Sequence, residues 1–333
     1  MDDRIVVLGA GAWGTALAVM LARGGRSVTL CARRAEQCEA IDRARENSAY
    51  LPQVAIPDAI ELSADWPAAV RETETIVIAV PSRHARAALA PVASGIRPGA
   101  MLISATKGVE EDTLHTMSAM LREVAPPGTQ IAVLSGPGFA AEVARGKPAA
   151  LVAAAAEESV AIRARELFAS RTLRVYSSTD VVGVELAGAT KNVIAIAVGA
   201  SDGLELGSSA RAAVITRGLA EIMRLAAAGG GRRETIAGLA GLGDLVLTCT
   251  GDLSRNRTVG LRLGRGDRPD VKSDHAGKPV AEGIANARSV RALAARLGVE
   301  MPIVNAVYRA LYEAAAPDTI VDELLSRELK PEF

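Results

Sequence analysis

Six residues near the N-terminus constrain the fold more than any others. Residues 9–14 read GAGAWG, a GxGxxG motif that follows the apolar run 4–8 and precedes a helix-like run. A glycine-rich turn between a strand and a helix is typical of the first βαβ unit of a dinucleotide-binding sheet. Gly9 permits the tight turn, Gly11 lets the backbone approach a pyrophosphate, and Gly14 lets the helix pack on the strand. The alternative is a purely structural glycine-rich turn.

The first half of the chain alternates short β-branched runs with helical stretches, a pattern that predicts a parallel sheet with crossover helices. Several runs are almost continuously apolar, as expected of strands that are covered on both faces. The predicted strands are 4–8, 27–31, 75–80, 100–105, 130–134, 148–154 and 174–177. Residues 46–58 and 264–279 are predicted to be loops, because they are rich in Pro or in Gly and charged residues.

From about Asp180 onward the pattern changes to long stretches with helical spacing, at 181–198, 210–228 and 281–297. The first of these is apolar around most of its circumference, so we expect it in the middle of a domain. A length of 333 residues favours two domains. We therefore predict an α/β dinucleotide-binding domain over 1–179 and an all-α domain over 180–333.

Composition excludes several classes of function. The 38 Lys and Arg residues balance 38 Asp and Glu residues, so no net field favours nucleic acid or anionic lipid. No apolar run approaches the ~18 residues of a membrane span, and residues 1–4 do not resemble an export leader. Cys31, Cys38 and Cys249 form no CxxC pair, which favours a reducing compartment and argues against structural zinc. We expect a cytoplasmic protein without nucleic acid, metal or membrane anchor.

The second predicted strand, 27–31, ends where an acidic residue normally binds the ribose 2′-hydroxyl of NAD. Residues 32–34 instead read ARR. The planar guanidinium groups of Arg33 and Arg34 match the oxygens of a 2′-phosphate, so we predict NADPH as the preferred cofactor and NADH as the alternative. In the other interpretation, one or both arginines face solvent or pack over adenine, and the protein accepts either cofactor.

Reducing a carbonyl with a nicotinamide requires a proton donor beside the oxygen. Histidine is the commonest choice, but His84, His115 and His275 are each expected to be exposed. Lys191 lies in an otherwise apolar predicted helix. Burial lowers the pKa of a lysine, which makes the side chain a usable acid or base near neutrality. The alternative is a lysine that reaches the surface along its apolar stem.

Further candidates follow the predicted strands. Lys107 comes directly after the strand 100–105, and ligands bind at the carboxyl edge of such a sheet. Gly136 and Gly138 follow the next strand and allow close approach of a ligand to the backbone. A structural turn would have the same composition.

A late segment brings a carboxylate, hydroxyls and guanidinium groups together within residues 241–257. Asp244 is a suitable partner for the Lys191 ammonium, and Arg255 with Asn256 is suited to binding a phosphate. Composition alone does not establish that these side chains converge.

The order of these motifs resembles the bacterial-type NAD(P)-dependent glycerol-3-phosphate dehydrogenase family over nearly the whole chain. Any one motif can occur by chance, whereas the ordered set is specific. The matching segments are GAGAWGTALA at 9–18, Asn47 with YLP at 50–52, VPS at 80–82, ATKG at 105–108, LSGP at 134–137, GVE at 183–185, KNV at 191–193, ITRGL at 215–219, GLAGLGDLVLTCT at 238–250 and SRNR at 254–257.

The resemblance implies a Rossmann-like domain followed by an all-α domain like that of 6-phosphogluconate dehydrogenase. It also implies reversible reduction of dihydroxyacetone phosphate to sn-glycerol 3-phosphate, the backbone precursor of glycerophospholipids. Lys191 would act as general acid and base, held and polarised by Asp244 and Lys107. The implied cofactor contacts are Ala12, Trp13, Arg33, Lys107, Ala140, Arg255, Val280 and Glu282, beside the three motif glycines and Arg34. The implied substrate contacts are Lys107, Gly136, Gly138, Lys191, Asp244, Ser254, Arg255 and Asn256.

The chain departs from the family pattern at two positions. Gly138 stands where the family usually has Ser or Thr, and Ser209 stands where Asn is common. Residues 273–279 also match poorly, which weakens the assignments of Val280 and Glu282. Two other functions compete with this interpretation: a related reductase acting on another hydroxy or imino acid, and a sensor that binds NADP(H) without turnover. A homodimer is compatible with the sequence.

Overall fold

The computed structural model describes residues 4–71, 73–269, 271, 281–326 and 328. Within those residues it contains the following strands: β1 Ile5–Leu8, β2 Val28–Cys31, β3 Glu46–Asn47, β4 Leu51–Ala55, β5 Ile60–Ser63, β6 Thr75–Ile78, β7 Met101–Ser104, β8 Gln130–Ser135, β9 Ala149–Ala155 and β10 Leu173–Ser178.

The α-helices of the described residues divide between the two halves of the chain. Those of the first half are α1 Ala12–Arg23, α2 Ala35–Ala44, α3 Trp66–Val70, α4 Ser82–Leu89, α5 Met117–Val124, α6 Ala140–Ala144 and α7 Glu158–Phe168. Those of the second half are α8 Val181–Gly203, α9 Gly207–Ala228, α10 Arg233–Ala237, α11 Asp244–Thr250, α12 Arg255–Gly264, α13 Glu282–Arg296, α14 Pro302–Tyr312 and α15 Pro317–Leu325. A 3-10 turn, Ala93–Gly95, and a π-helical turn, Leu239–Gly243, complete the assignment.

Eight strands form one sheet in the order β10-β9-β8-β7-β6-β1-β2-β5, and all seven predicted strands are in it. The expectation of a parallel sheet is wrong at one point, because β8 and β9 pair antiparallel. The connection between them contains only the five-residue helix α6, which at ~1.5 Å per residue is too short to return along a strand at ~3.3 Å per residue. The strand β9 therefore runs back beside β8, and β10 is parallel to β9.

The sequence patterns do not predict two strand regions of the structure, the β3–β4 pair and β5. The predicted loop 46–58 contains the antiparallel pair β3 and β4, and β5 adds an edge strand beside β2. The strand β4 includes Pro52, and β5 buries only Ile60 of its four residues. Neither segment carries the apolar run that identifies a central strand.

The central strands are apolar because both faces of the sheet are covered. In β1, Ile5 and Val7 belong to one core cluster, while Val6 and Leu8 belong to another on the opposite face. The first cluster includes residues of α1 and α7, and the second includes residues of α4 and α5. This alternation follows from the two-residue period of a strand.

Helix α8 is the centre of the second half of the chain and packs against α9, α11, α12, α13 and α14. Among the described helices it alone is long and apolar enough to cross a membrane, but 89% of that apolar stretch is buried inside the protein. Its contact with α12 is very close, since a Cβ at Gly199 would lie 2.1 Å from the Arg257 carbonyl oxygen. The predicted helices 181–198, 210–228 and 281–297 are confirmed as α8, α9 and α13.

The sheet ends at Ser178 and α8 begins at Val181. We therefore keep the division into 1–179 and 180–333 as our proposal for the two domains. Of the predicted loop 264–279, residues 270 and 272–279 lie outside the described residues.

Candidate active site

The glycine-rich turn follows β1 and leads into α1. Gly9 has a φ of +112°, and a Cβ there would lie 2.6 Å from the carbonyl oxygen of Ala79, so only glycine fits. A Cβ at Gly14 would lie 1.9 Å from the carbonyl oxygen of Gly9. Gly11 differs from both, because nothing lies within 4 Å of the corresponding position. The turn is thus packed tightly at Gly9 and Gly14 and open at Gly11.

Two side chains from neighbouring elements hold this turn. The carbonyl oxygen of Ala10 accepts hydrogen bonds from Gln37 Nε2 at 2.9 Å and from Asn47 Nδ2 at 3.0 Å. Asn47 is buried and also donates to Thr15 Oγ1 at 2.8 Å. The β3 segment therefore fixes the start of α1.

A cavity of about 520 Å³ extends from this turn along the carboxyl edge of the sheet. Its walls come from the glycine turn, the end of β2, helix α4 and the helical half of the chain. The predicted residues in those walls are Gly9, Gly11, Ala12, Trp13, Arg33, Arg34, Arg255 and Glu282. Both halves of the chain thus contribute to one cavity.

These walls fit a dinucleotide. Gly11 precedes the first turn of α1 and leaves open space in front of its unpaired backbone N–H groups, where an anion binds favourably. Trp13 Nε1, which lines the same region, is buried without a hydrogen-bond partner among the described residues. Arg33 and Arg34 are both exposed beside the cavity, at the start of α2. Their guanidinium groups suit a phosphate on the adenosine ribose.

Three charged side chains, Lys107, Lys191 and Asp244, meet close to this cavity without lining it; their charges act on Glu282, which does line it. Lys191 Nζ donates to Asp244 Oδ1 at 2.6 Å, and Lys107 Nζ donates to Asp244 Oδ2, also at 2.6 Å. Lys191 and Asp244 are buried, at 6% and 1% exposure. The interpretation of Lys191 as a surface-reaching lysine is therefore wrong, and the expected pairing with Asp244 is present.

Each of these charged groups comes from a different element of the fold. Lys191 lies in the middle of α8, whose start is capped by Asp180 accepting from the Gly183 N–H at 2.9 Å. Lys107 follows the carboxyl end of β7, an interior strand of the sheet. Asp244 begins α11 directly after the π-helical turn Leu239–Gly243, a kind of irregularity that is frequent at functional sites.

Burial lowers the pKa of Lys191 to about 8. The negative charge of Asp244 opposes this shift, and the positive charge of Lys107 adds to it. An ammonium has three donors, and Lys191 uses two of them, on Asp244 and Thr248. Its third donor has no acceptor among the described residues and is available to a ligand. The group is thus able to give and accept a proton near neutrality.

Thr248 is a site residue that our sequence reasoning did not select. Its hydroxyl accepts from Lys191 Nζ at 2.6 Å and donates to the Asp244 carbonyl oxygen at 2.7 Å. The signal was available in the sequence, because Thr248 lies four residues after Asp244 and shares its face of a helix.

The predicted phosphate-binding residues lie at the start of α12. Arg255 is exposed, lines the cavity and makes no ion pair within the described part of the chain. Ser254 is the N-cap and accepts from the Arg257 N–H at 3.2 Å. Asn256 donates to Asn192 Oδ1 at 2.8 Å and accepts from the Gly283 N–H at 2.9 Å, which leaves one amide donor of Asn256 unused among these bonds.

The glycines after β8 also approach the site. The Gly136 carbonyl oxygen accepts from Lys107 Nζ at 3.0 Å, and its φ of +121° favours glycine. A Cβ at Gly138 would lie 3.3 Å from the Trp13 ring, so the small residue allows Trp13 to pack closely there. Ala140 begins α6.

Three further residues named from the sequence are Val280, Glu282 and Ser209. Glu282 begins α13, and burial raises the pKa of its carboxyl against the lowering effect of the Arg255 charge. Val280 lies outside the described residues. Ser209 is exposed in the first turn of α9.

The expectation of exposed histidines needs correction. His84 and His115 are both half-buried, because α4 packs along the cavity and His115 lies beside Glu123 at 3.1 Å. His275 lies outside the described residues. Among the residues that the structure describes, no cluster of His, Cys, Asp or Glu is arranged to hold a metal ion.

Comparison with known proteins places the chain among dehydrogenases. Residues 4–161 match the family described as NAD-dependent glycerol-3-phosphate dehydrogenase N-terminus, and residues 180–322 match the corresponding C-terminus. The protein of Geobacter sulfurreducens named glycerol-3-phosphate dehydrogenase (NAD(P)+) is 49% identical over 335 residues, covering 100% of this chain and 99% of its own length. The protein of the same name from Thiobacillus denitrificans is 50% identical over 331 residues, covering 99% and 100%.

A solved structure agrees with these sequence matches. The crystal structure of glycerol-3-phosphate dehydrogenase from Coxiella burnetii superimposes with a TM-score of 0.92 at 39% identity. The superposition covers 98% of this chain and 99% of that one. The likeness therefore extends through both halves of the chain.

Proposed function

The chain belongs to the NAD-dependent glycerol-3-phosphate dehydrogenase family, and from this we propose that its cleft reduces dihydroxyacetone phosphate to sn-glycerol 3-phosphate with Lys191 as the proton carrier. The protein is an NAD(P)-dependent oxidoreductase that acts on a small molecule. The observation that carries the proton assignment is a buried ammonium with a lowered pKa and one donor left for a ligand.

A nicotinamide cofactor held by the glycine turn and the cavity walls would supply a hydride for the carbonyl carbon. Lys191 donates a proton from Nζ to the carbonyl oxygen, so that a ketone, a hydride and a proton together give the alcohol. In the reverse direction the neutral amine of Lys191 accepts the hydroxyl proton. Asp244 stabilises the ammonium form, and Lys107 limits that stabilisation because it shares the same carboxylate.

Arg255 is the residue best suited to hold the substrate phosphate. It is cationic, lacks an ion-pair partner in the described residues and lies at the first position of α12, where unpaired N–H groups also favour an anion. Asn256 and Ser254 support this end of the site, since their hydrogen bonds fix the start of the helix. Gly136 and Gly138 provide close backbone approach.

The chain uses NAD or NADP, and we assign the preference to NADPH. The support is the pair Arg33 and Arg34, which lies beside the cavity where an acidic residue would otherwise bind the ribose hydroxyl. We also propose that the product serves glycerophospholipid synthesis, that the enzyme works in the cytoplasm and that it forms a homodimer. Size-exclusion chromatography with light scattering tests the last of these.

The nearest rival, a related reductase that acts on another hydroxy or imino acid, is disfavoured by Arg255 and Asn256, which suit a phosphate. A rival of another class is a protein that binds NADP(H) as a sensor without turnover. The Lys107–Asp244–Lys191 cluster argues against it, because a pure binding protein gains nothing from a buried and a half-buried cation on one buried carboxylate beside the cofactor cavity. Burying charges is costly and is characteristic of catalytic sites.

The test follows NADPH absorbance with dihydroxyacetone phosphate, and repeats the assay with NADH and with Lys191→Met. Loss of a general acid lowers kcat by about 10²–10⁴-fold. Lys147→Met is the matched control, because Lys147 is an exposed lysine paired with Glu142. NADPH binding without turnover by the unaltered protein would favour the sensor, and turnover that survives in Lys191→Met would exclude Lys191 as proton carrier.

A further inference from the structure

Asn286 connects the two segments that carry the catalytic lysines. It lies in α13 and is fully buried, at 0% exposure. Its Nδ2 donates to the carbonyl oxygen of Lys107 at 3.2 Å and to the carbonyl oxygen of Ala189 at 3.1 Å. Ala189 lies two residues before Lys191 in α8, so one amide group spans both lysine-bearing segments.

The orientation of this amide is determined by its partners. Both neighbours of Nδ2 are carbonyl oxygens, which accept and cannot donate, so a flipped amide would place three acceptors together. Asn286 Oδ1 is buried without a partner among the described residues. An unpaired buried acceptor is unfavourable, and a leucine of similar size would avoid it. The two N–H bonds are therefore the reason for a polar residue at this position.

The backbone after Lys107 is also held tightly. A Cβ at Gly108 would lie 2.3 Å from Ser82 Oγ and 2.9 Å from Asn286 Oδ1. The peptide that follows Lys107 is thus confined between α4 on one side and α13 on the other. Movement of this loop would move Lys107 Nζ relative to Asp244.

We propose that Asn286 is a positioning residue that sets the spacing between Lys107 and Lys191 around Asp244, and so controls proton transfer without touching the substrate. This inference rests on the proposed function. Lys107 and Lys191 compete for one carboxylate, so a small displacement of Lys107 changes how strongly Asp244 holds the Lys191 ammonium. Displacing Lys107 is therefore expected to change the catalytic step more than the binding of the cofactor.

The test compares Asn286→Leu, which removes both donors at similar volume, with the unaltered protein. Because small misplacements of a catalytic group are costly, we expect kcat to fall by about tenfold or more. We also expect the pH midpoint of kcat to shift, while the NADPH dissociation constant from fluorescence titration changes little. An unchanged kcat and an unchanged pH midpoint would overturn the proposal.

Two controls separate positioning from general stability. Ser289→Ala alters another buried residue of α13 whose hydroxyl makes no hydrogen bond in the described structure. Glu221→Gln weakens a different buried connection, in which the Glu221 carboxylate accepts from the Ile303 and Val304 N–H groups at the start of α14. The control Glu221→Gln is expected to lower Tm and leave the pH midpoint unchanged. If Asn286→Leu behaves in the same way, Asn286 is only structural.

A second variant tests the proposal if Asn286→Leu does not fold. Gly108→Ala keeps Asn286 and displaces the loop from the other side, so it is expected to lower kcat and shift the midpoint as well. If the unaltered protein does not reduce dihydroxyacetone phosphate, the proposed function fails. The pH dependence of Lys191 acetylation by acetic anhydride, measured by mass spectrometry, then tests the positioning separately, and an unchanged midpoint in both variants would overturn it.

Discussion

Lys107 and Lys191 bind opposite oxygens of the same carboxylate, each at 2.6 Å from Asp244. One lysine follows a strand of the sheet and the other lies in the central helix of the second half of the chain. The cluster carries a net positive charge beside the cofactor cavity, where negative charge develops on a carbonyl oxygen during reduction. Several measurable properties depend on this arrangement.

The direction of the reaction should determine its pH dependence. Reduction requires the ammonium form of Lys191, whose pKa is lowered to about 8, so kcat for reduction should fall as the pH rises through that value. Oxidation of glycerol 3-phosphate requires the neutral amine and should rise over the same range. Initial rates in both directions across neutral to alkaline pH test this. Parallel profiles in the two directions would contradict the assignment.

Removing the charge of Lys107 should raise the pKa of Lys191. The Lys107 ammonium is a like charge that lowers the Lys191 pKa, and it also occupies one oxygen of Asp244. In Lys107→Met the pH midpoint for reduction should therefore move upward, and the maximal kcat should fall. Lys147→Met, at an exposed position, should leave the profile unchanged. A downward shift in Lys107→Met would be inconsistent with the geometry.

Loss of the Thr248 hydroxyl should lower the pH midpoint for reduction, in contrast to the upward shift expected for Lys107→Met. This hydroxyl accepts from Lys191 Nζ at 2.6 Å and so favours the ammonium form. Thr248→Val should lower the pH midpoint and reduce kcat by about tenfold, as expected for a hydrogen bond to a charged group. Thr248→Ser keeps the hydroxyl and should retain most of the activity. Equal losses in both variants would assign the effect to packing.

The two arginines after β2 should control the choice between the cofactors. Both line the cavity and lack ion pairs among the described residues. Arg33→Ser and Arg34→Ser should raise the KM for NADPH by about tenfold or more, because charge-assisted hydrogen bonds are lost, and leave the KM for NADH nearly unchanged. Arg43→Ser is the control, since Arg43 is exposed at the far end of α2. Similar changes for both cofactors would show that the arginines do not read the 2′-phosphate.

Two glycines of the same turn should respond differently to alanine. Gly14→Ala places a Cβ 1.9 Å from the Gly9 carbonyl oxygen and should destabilise the protein by about 1–3 kcal/mol or more. Gly11→Ala meets no protein atom within 4 Å, so Tm should change little. The new methyl group would instead occupy space needed by the pyrophosphate and weaken NADPH binding. Thermal denaturation with and without NADPH distinguishes the two effects, and unchanged NADPH affinity in Gly11→Ala would contradict the proposed site.

Much of the architecture follows from local sequence patterns. The seven predicted strands are apolar because both faces of the sheet are covered, and α8 is apolar around its circumference because helices surround it. Elements with a strong apolar pattern can be predicted from residues that are close in sequence. The edge strand β5 and the β3–β4 pair lack such a signal, since most of their side chains are not buried. Their pairing depends on neighbours that the local pattern does not specify.

The residues of the candidate site also fall into two groups, those that local sequence predicts and those that only tertiary contacts reveal. By itself the sequence determined the glycine-rich turn, the arginines after β2 and the lysine in an apolar helix, because each depends on a backbone shape or a local composition. Only the tertiary structure decided that one carboxylate binds Lys107 and Lys191, that Asn47 holds the turn and that Asn286 joins two lysine-bearing segments. These contacts join residues far apart in the chain, and hydrogen bonds form only where folding brings donor and acceptor within about 3 Å of each other.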